Sequence, residues 1–136
     1  MKSFLVFLIA GILLFSCTSK LQKSAPDPFA ESASLKSETL GLMKEVEQGL
    51  NVLEQTRNGV MVQGRALTEA EMAFIDGVGV LLAEQKKLID YLQDIEQSEN
   101  AYAPNAEELL YLNQQANQLV KQMLGKINEL NENTSH

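Results

Sequence analysis

The chain has 136 residues, of which 45 % are hydrophobic, with no tryptophan and a single cysteine. From Asp27 onward 18 acidic side chains stand against 8 basic ones, a balance of −10. That excludes nucleic acid as a partner, because phosphate binding needs a basic surface, and the length allows one domain.

The chain opens with Met1-Lys2, one positive charge, and then Phe4 to Phe15, twelve residues with no polar side chain. As a helix that run spans roughly 18 Å at about 1.5 Å per residue, too short for a hydrocarbon core ~30 Å thick. A basic start, a short apolar run and then the small residues Ser16, Cys17, Thr18 and Ser19 read as a secretory signal peptide.

The stretch Leu14-Phe15-Ser16-Cys17 resembles the cleavage box of bacterial lipoprotein precursors. The resemblance covers the first 17 residues and implies a processing class. Cleavage then falls between Ser16 and Cys17, and Cys17 carries a diacylglycerol, often with a further acyl chain on its amine. Two or three chains anchor a protein stably where one holds it only marginally. Lipidation also removes what is otherwise a lone reactive thiol in an oxidising compartment. Residue Thr18 is not the aspartate that retains many such proteins in the inner membrane, so the resemblance points to the outer membrane, facing the periplasm. The other reading is an ordinary secreted protein with a chance cysteine near its cleavage site.

Residues 17–28, with Lys20, Lys23 and two prolines, form a flexible tether. Its basic residues suit anionic headgroups at the root, with the acidic body beyond.

The body from 29 to 133 reads as three helices. The first, about 29–63, starts at Asp27-Pro28, an N-cap followed by a first-turn proline. Its apolar positions are Met43, Val46, Leu50, Leu53 and Val60. The second, about 68–98, starts at the capping box Thr68-Glu69-Ala70-Glu71. Its seam is Leu67, Phe74, Val78, Leu81, Leu88, Leu92 and Ile95, interrupted by Glu71 and Gln85. The third, about 105–131, follows Pro104, with Leu109, Leu112, Ala116, Leu119, Met123 and Leu130 as its seam and Lys126 in the remaining slot. Residues 134–136 form a frayed tail. No stretch alternates with period two.

The predicted fold is all-α: an elongated antiparallel three-helix bundle with coiled-coil-like seams, roughly 40 Å long at about 1.5 Å per residue. Folding the second connection about Ala101–Tyr102 sets Ile95 against Leu109 and Phe74 against Leu130. Folding the first about Gln63 sets Val46 against Leu81, Leu53 against Phe74, and Gly49 against Gly77. Those two glycines then mark either a close backbone approach or tolerant flanks. Gln85 points sideways to water.

The search for chemistry leaves no catalytic, metal or cofactor site. The one histidine, His136, is the last residue, where no general base is held in place. Glu69, Glu71, Glu107 and Glu108 are first-turn acids opposing a helix dipole, and Asp90 with Asp94 is a solvated pair. Gly77-Val78-Gly79 lies mid-helix and lacks the strand and third glycine of a phosphate loop.

The remaining candidate is the first connection, where Val60, Met61 and Val62 stand between Asn58-Gly59 and Gln63-Gly64. Either helix 1 runs on to Gln63, ends on Gly64 and tucks these side chains into the core, or they form an exposed apolar tip where a protein docks.

The expected function is a non-enzymatic, membrane-anchored envelope lipoprotein that binds another envelope protein. Its role is an adaptor or accessory subunit, for instance of a secretion or envelope assembly. The alternatives are a periplasmic carrier of a lipid or other hydrophobic ligand, and a self-associating homo-oligomeric spacer.

Overall fold

The computed structural model describes residues 27–134. Among them are three helices packed against one another and no strand: α1 (Pro28–Met61), α2 (Glu69–Glu99) and α3 (Ala106–Thr134). The protein is an all-α three-helix bundle. Its longest helix, α1, has 34 residues, or about 51 Å at 1.5 Å per residue.

Each helix starts on a side chain that satisfies its orphan N–H groups. Asp27 Oδ1 accepts from Phe29 N–H at 3.0 Å, and Pro28 occupies the first turn, where no donor is missed. Thr68 Oγ1 accepts from Glu71 N–H at 3.1 Å while Glu71 Oε2 accepts from Thr68 N–H at 2.9 Å, a reciprocal capping box. Asn105 Oδ1 accepts from both Glu107 and Glu108 N–H.

The helix ends differ from the expected 63, 98 and 131. Rather than reaching Gln63, α1 stops at Met61, with Val62 as its C-cap, and the Val62 N–H bonds Asn58 C=O at 3.1 Å. The glycine that bends the chain is Gly64, at φ +70, two residues beyond that cap. At the other end α3 continues to Thr134, whose hydroxyl donates back to the Leu130 and Asn131 carbonyls, so position 134 belongs to the helix and not to a tail.

Most of the packing is made by α3, against α1 first and α2 second, whereas α1 and α2 touch least. The α1–α3 pair runs parallel. Thr39 meets Asn117, 78 residues on, and Gly49 meets Ile127 at the same separation. A constant difference in position is what two parallel helices of equal rise must give.

This geometry corrects the glycine pairing. A Cβ on Gly49 would lie 2.6 Å from Ile127 Cγ2, and one on Gly77 would lie 3.1 Å from Leu130 Cδ2. Each glycine therefore admits an α3 side chain, and the two do not face each other. Because α1 ends early and α2 starts at Glu69, the connection centres near Arg65 and not Gln63, which slides α2 along α1. The ion pair Lys36–Glu99, at 2.7 Å, sits in that shifted register.

The core is aliphatic: Val46, Leu50 and Leu53 from α1, Phe74, Val78, Leu81, Leu88 and Ile95 from α2, and Leu109, Ala116, Leu119, Val120, Met123 and Ile127 from α3. Leu112 and Leu130 are only partly buried, Gln85 is half-buried, and Lys126 is exposed and paired with Glu84.

Candidate functional site

The two ends of the bundle differ in what they bury. Asp27, the first described residue, and the α2–α3 connection lie at one end. The α1–α2 connection and the α3 C-terminus lie at the other, here called the far end. Near Asp27 the α1–α3 seam is polar: Ser32, Thr39, Asn113 and Asn117 are all buried. Asn117 Nδ2 donates to Thr39 Oγ1 at 3.2 Å, and Asn113 Nδ2 donates to Leu109 C=O at 2.8 Å. Ser32 Oγ and Asn113 Oδ1 are buried with no hydrogen-bond partner among the described residues. Toward the far end the same seam becomes Val46, Leu50, Leu53, Val120, Met123 and Ile127.

At the far end an apolar cleft of about 650 Å³ opens between the last turns of α1 and α3 and the first turns of α2. Val60, Ala73, Phe74 and Leu130 line it, and Glu71 and Asn133 stand at its rim. Ala70 and Ala73, the small residues ahead of Phe74 on α2, are part of its lining and leave it unfilled. The size is that of a site taking a small ligand or a few side chains. Two smaller hollows are more polar: one lies at the α2–α3 connection, between Asp94 and Glu108, and another beside Lys87 and Gln118.

The three tip residues divide. Val60 is half-buried and forms part of the cleft wall. Met61 is 58 % exposed and Val62 is 81 % exposed. Because α1 ends at Met61, the turn carries these two side chains outward instead of into the core.

A charged clasp braces the turn. Arg65 Nη2 meets Glu71 Oε1 at 2.6 Å, Nη1 meets Oε2 at 3.0 Å, and Nη1 also donates to Ala66 C=O at 3.1 Å. The two-pronged geometry is the strong form of the pair. The Arg65 hydrogen bonds, then the Thr68 N–H, hold the Glu71 carboxyl down at about 2. The hydrogen bonds to Glu71, and its charge, raise the Arg65 guanidinium above its usual range. Glu71, read from the sequence as a seam interruption and first-turn acid, thus fixes both the start of α2 and the path of the loop before it.

Sequence reasoning named Val60, Met61 and Val62 but missed the cleft beside them. Phe74 and Leu130 were assigned to the seam. The available signal was Ala70 and Ala73, which precede Phe74 in the first two turns of α2 and are too small to cover it.

Among the described residues no group of three or more His, Cys, Asp or Glu side chains converges as a metal site would. No helix there is long and apolar enough to cross a membrane. The lipidation candidate Cys17, the signal peptide 1–16, tether residues 17–26 and His136 lie outside the described residues. No family model, no curated protein and no solved structure matches this chain.

Proposed function

We propose that the protein is a non-enzymatic, lipid-anchored envelope protein that grips another protein with the far end of its bundle. The observation that carries this reading is the exposed pair Met61–Val62 beside an open apolar cleft, at the end opposite Asp27. An apolar surface held away from the anchor, on rigid helix ends, is how an adaptor meets a partner across a gap. The cleavage box ending at Cys17 supports the anchor, and the outer membrane facing the periplasm is the location it favours.

The test is photo-crosslinking in the host envelope, with a crosslinking residue placed at Met61, at Val62 or, as a control, at exposed Gln114 on α3. The expected result is one protein captured from positions 61 and 62 and not from 114. Equal capture from all three positions overturns the reading. Capture of lipid alone converts it to the carrier, and capture of a second copy alone converts it to the self-associating spacer.

A further inference from the structure

The rim of the far-end cleft has a charge pattern that selects its occupant. Glu69 lies one turn before Ala73 on α2, and Glu129 one turn before Asn133 on α3, so both flank cleft-lining positions at the spacing that shares a helix face. Glu132 stands next to Asn133. All three are exposed, and among the described residues none forms an ion pair. The nearby cations are already engaged, Arg65 by Glu71 and Arg57 by Glu54. Two helices, α1 and α3, end here, and neither has a basic residue in its last turn. Their terminal carbonyls therefore add partial negative charge, which the single α2 N-terminus, already faced by Glu69 and Glu71, offsets only in part. Lys or Arg near such an end would favour the dipole; here α3 carries Glu129 and Glu132 instead.

We infer that the cleft takes a cationic amphipathic segment of the partner protein, its apolar side chains against Phe74 and Leu130 and its lysines or arginines facing Glu69, Glu129 and Glu132. The inference rests on the reading of the far end as a docking surface and adds the chemistry of what docks. The apolar contact supplies most of the affinity, since exposed charge pairs contribute little each. The negative rim steers approach and rejects acidic segments. Anionic headgroups and nucleic acid are rejected by the same field.

The test uses the natively processed protein in bilayers of neutral lipid, with empty bilayers as the blank. The probes are three short fluorescein-labelled peptides. Two share one apolar helical face and carry either lysine or glutamate on the other; the third is the lysine peptide with its apolar spacing scrambled. The expected result is binding of the lysine amphipath at least about tenfold tighter than either of the others. Glu129→Lys with Glu132→Lys should erase the tenfold preference over the glutamate peptide. Because cations near the C-terminus of α3 favour the dipole, this variant should melt no lower than wild type, so a loss of binding is not a loss of fold. Ala73→Trp, which fills the cleft, should abolish binding of the lysine amphipath.

Equal binding of the lysine and glutamate amphipaths overturns the inference. So does equal weakening by Glu45→Lys with Glu47→Lys, exposed residues midway along α1, which would reveal only attraction to the whole acidic surface. A partner crosslinked at Met61 through an acidic or neutral segment sinks this inference and leaves the docking function standing. Absence of any crosslinked partner removes both.

Discussion

Asn117 on α3 donates a buried hydrogen bond to Thr39 on α1, 3.2 Å long and 78 residues apart in sequence, and this bond pins the register of the two parallel helices. One partner without the other is costly, because a buried group left unpaired forfeits about 1–3 kcal/mol. Asn117→Ala should therefore destabilise by about that amount in urea denaturation. Thr39→Val combined with Asn117→Leu should recover most of the loss, since replacing both partners by apolar groups of like shape is close to neutral. A double variant as unstable as the single one would mean the bond is not what Asn117 contributes.

Gly49 and Gly77 give opposite responses to the same substitution. The methyl of Gly49→Ala meets Ile127 Cγ2 at 2.6 Å. Ile127 is buried and β-branched, so its χ1 is stiff in a helix, and the overpacking should cost about 1–3 kcal/mol. Leu130, over Gly77, is only half-buried and meets the new methyl with its flexible end. Gly77→Ala should be neutral, or stabilise by up to about 1 kcal/mol through helix propensity. Thermal melting of the two variants decides it, and equal losses would contradict this packing.

The sequence showed the three helices, their N-caps and most of the apolar core, because hydrophobic period and capping chemistry are local. It hid the second face of α3. A single seam through Leu109, Leu112, Ala116, Leu119, Met123 and Leu130 serves one neighbour, but α3 packs against two. The other stripe passes through Asn113, Asn117, Val120 and Ile127. Two of its four members are asparagines, which read as a solvated surface until a threonine on another helix is known to face them. Ser32 and Thr39 were hidden for the same reason. The tip was ambiguous because its exposure turns on two residues: a helix ending at Gln63 buries what a helix ending at Met61 puts outside.

Glu71 links the fold to pH. Its folded pKa, about 2, lies below the ordinary carboxylate value of 4.5, so its contribution is fully present above about 4.5. That contribution is lost as pH falls from there through about 2. Wild type should melt above Glu71→Gln at neutral pH, and the two melting temperatures should converge as the pH falls to 2. A gap that stays constant across that range would show that the carboxylate charge is irrelevant to the clasp.

At the tip, Met61→Ser with Val62→Ser should leave helicity and melting nearly unchanged, since both side chains already face solvent. Val60→Ser should cost about 1 kcal/mol, because it removes part of the cleft wall from contact with apolar neighbours. Circular dichroism melts check both, and a loss of many degrees in the pair would return Met61 and Val62 to the core.

For the anchor, Cys17→Ser should abolish metabolic labelling with radioactive fatty acid and leave the precursor uncleaved between Ser16 and Cys17. Wild-type protein recovered free and unlabelled from the periplasm would contradict the proposed anchoring.

The polar seam near Asp27 also decides how the molecule answers a mechanical load. Tension entering at residue 27 reaches α1 from its first turn and peels it away from α3. Over roughly the first 27 Å of α1, at about 1.5 Å per residue, the fully buried side chains given up are Ser32 and Thr39 alone, with Leu35, Leu42 and Met43 half-buried and surface ion pairs at Lys36 and Glu38. Fully buried aliphatic groups are released only from Val46 onward, at Val46, Leu50 and Leu53. The first half of α1 should thus act as a compliant leash in series with a stiffer head, lengthening under strain before the aliphatic seam beyond it yields.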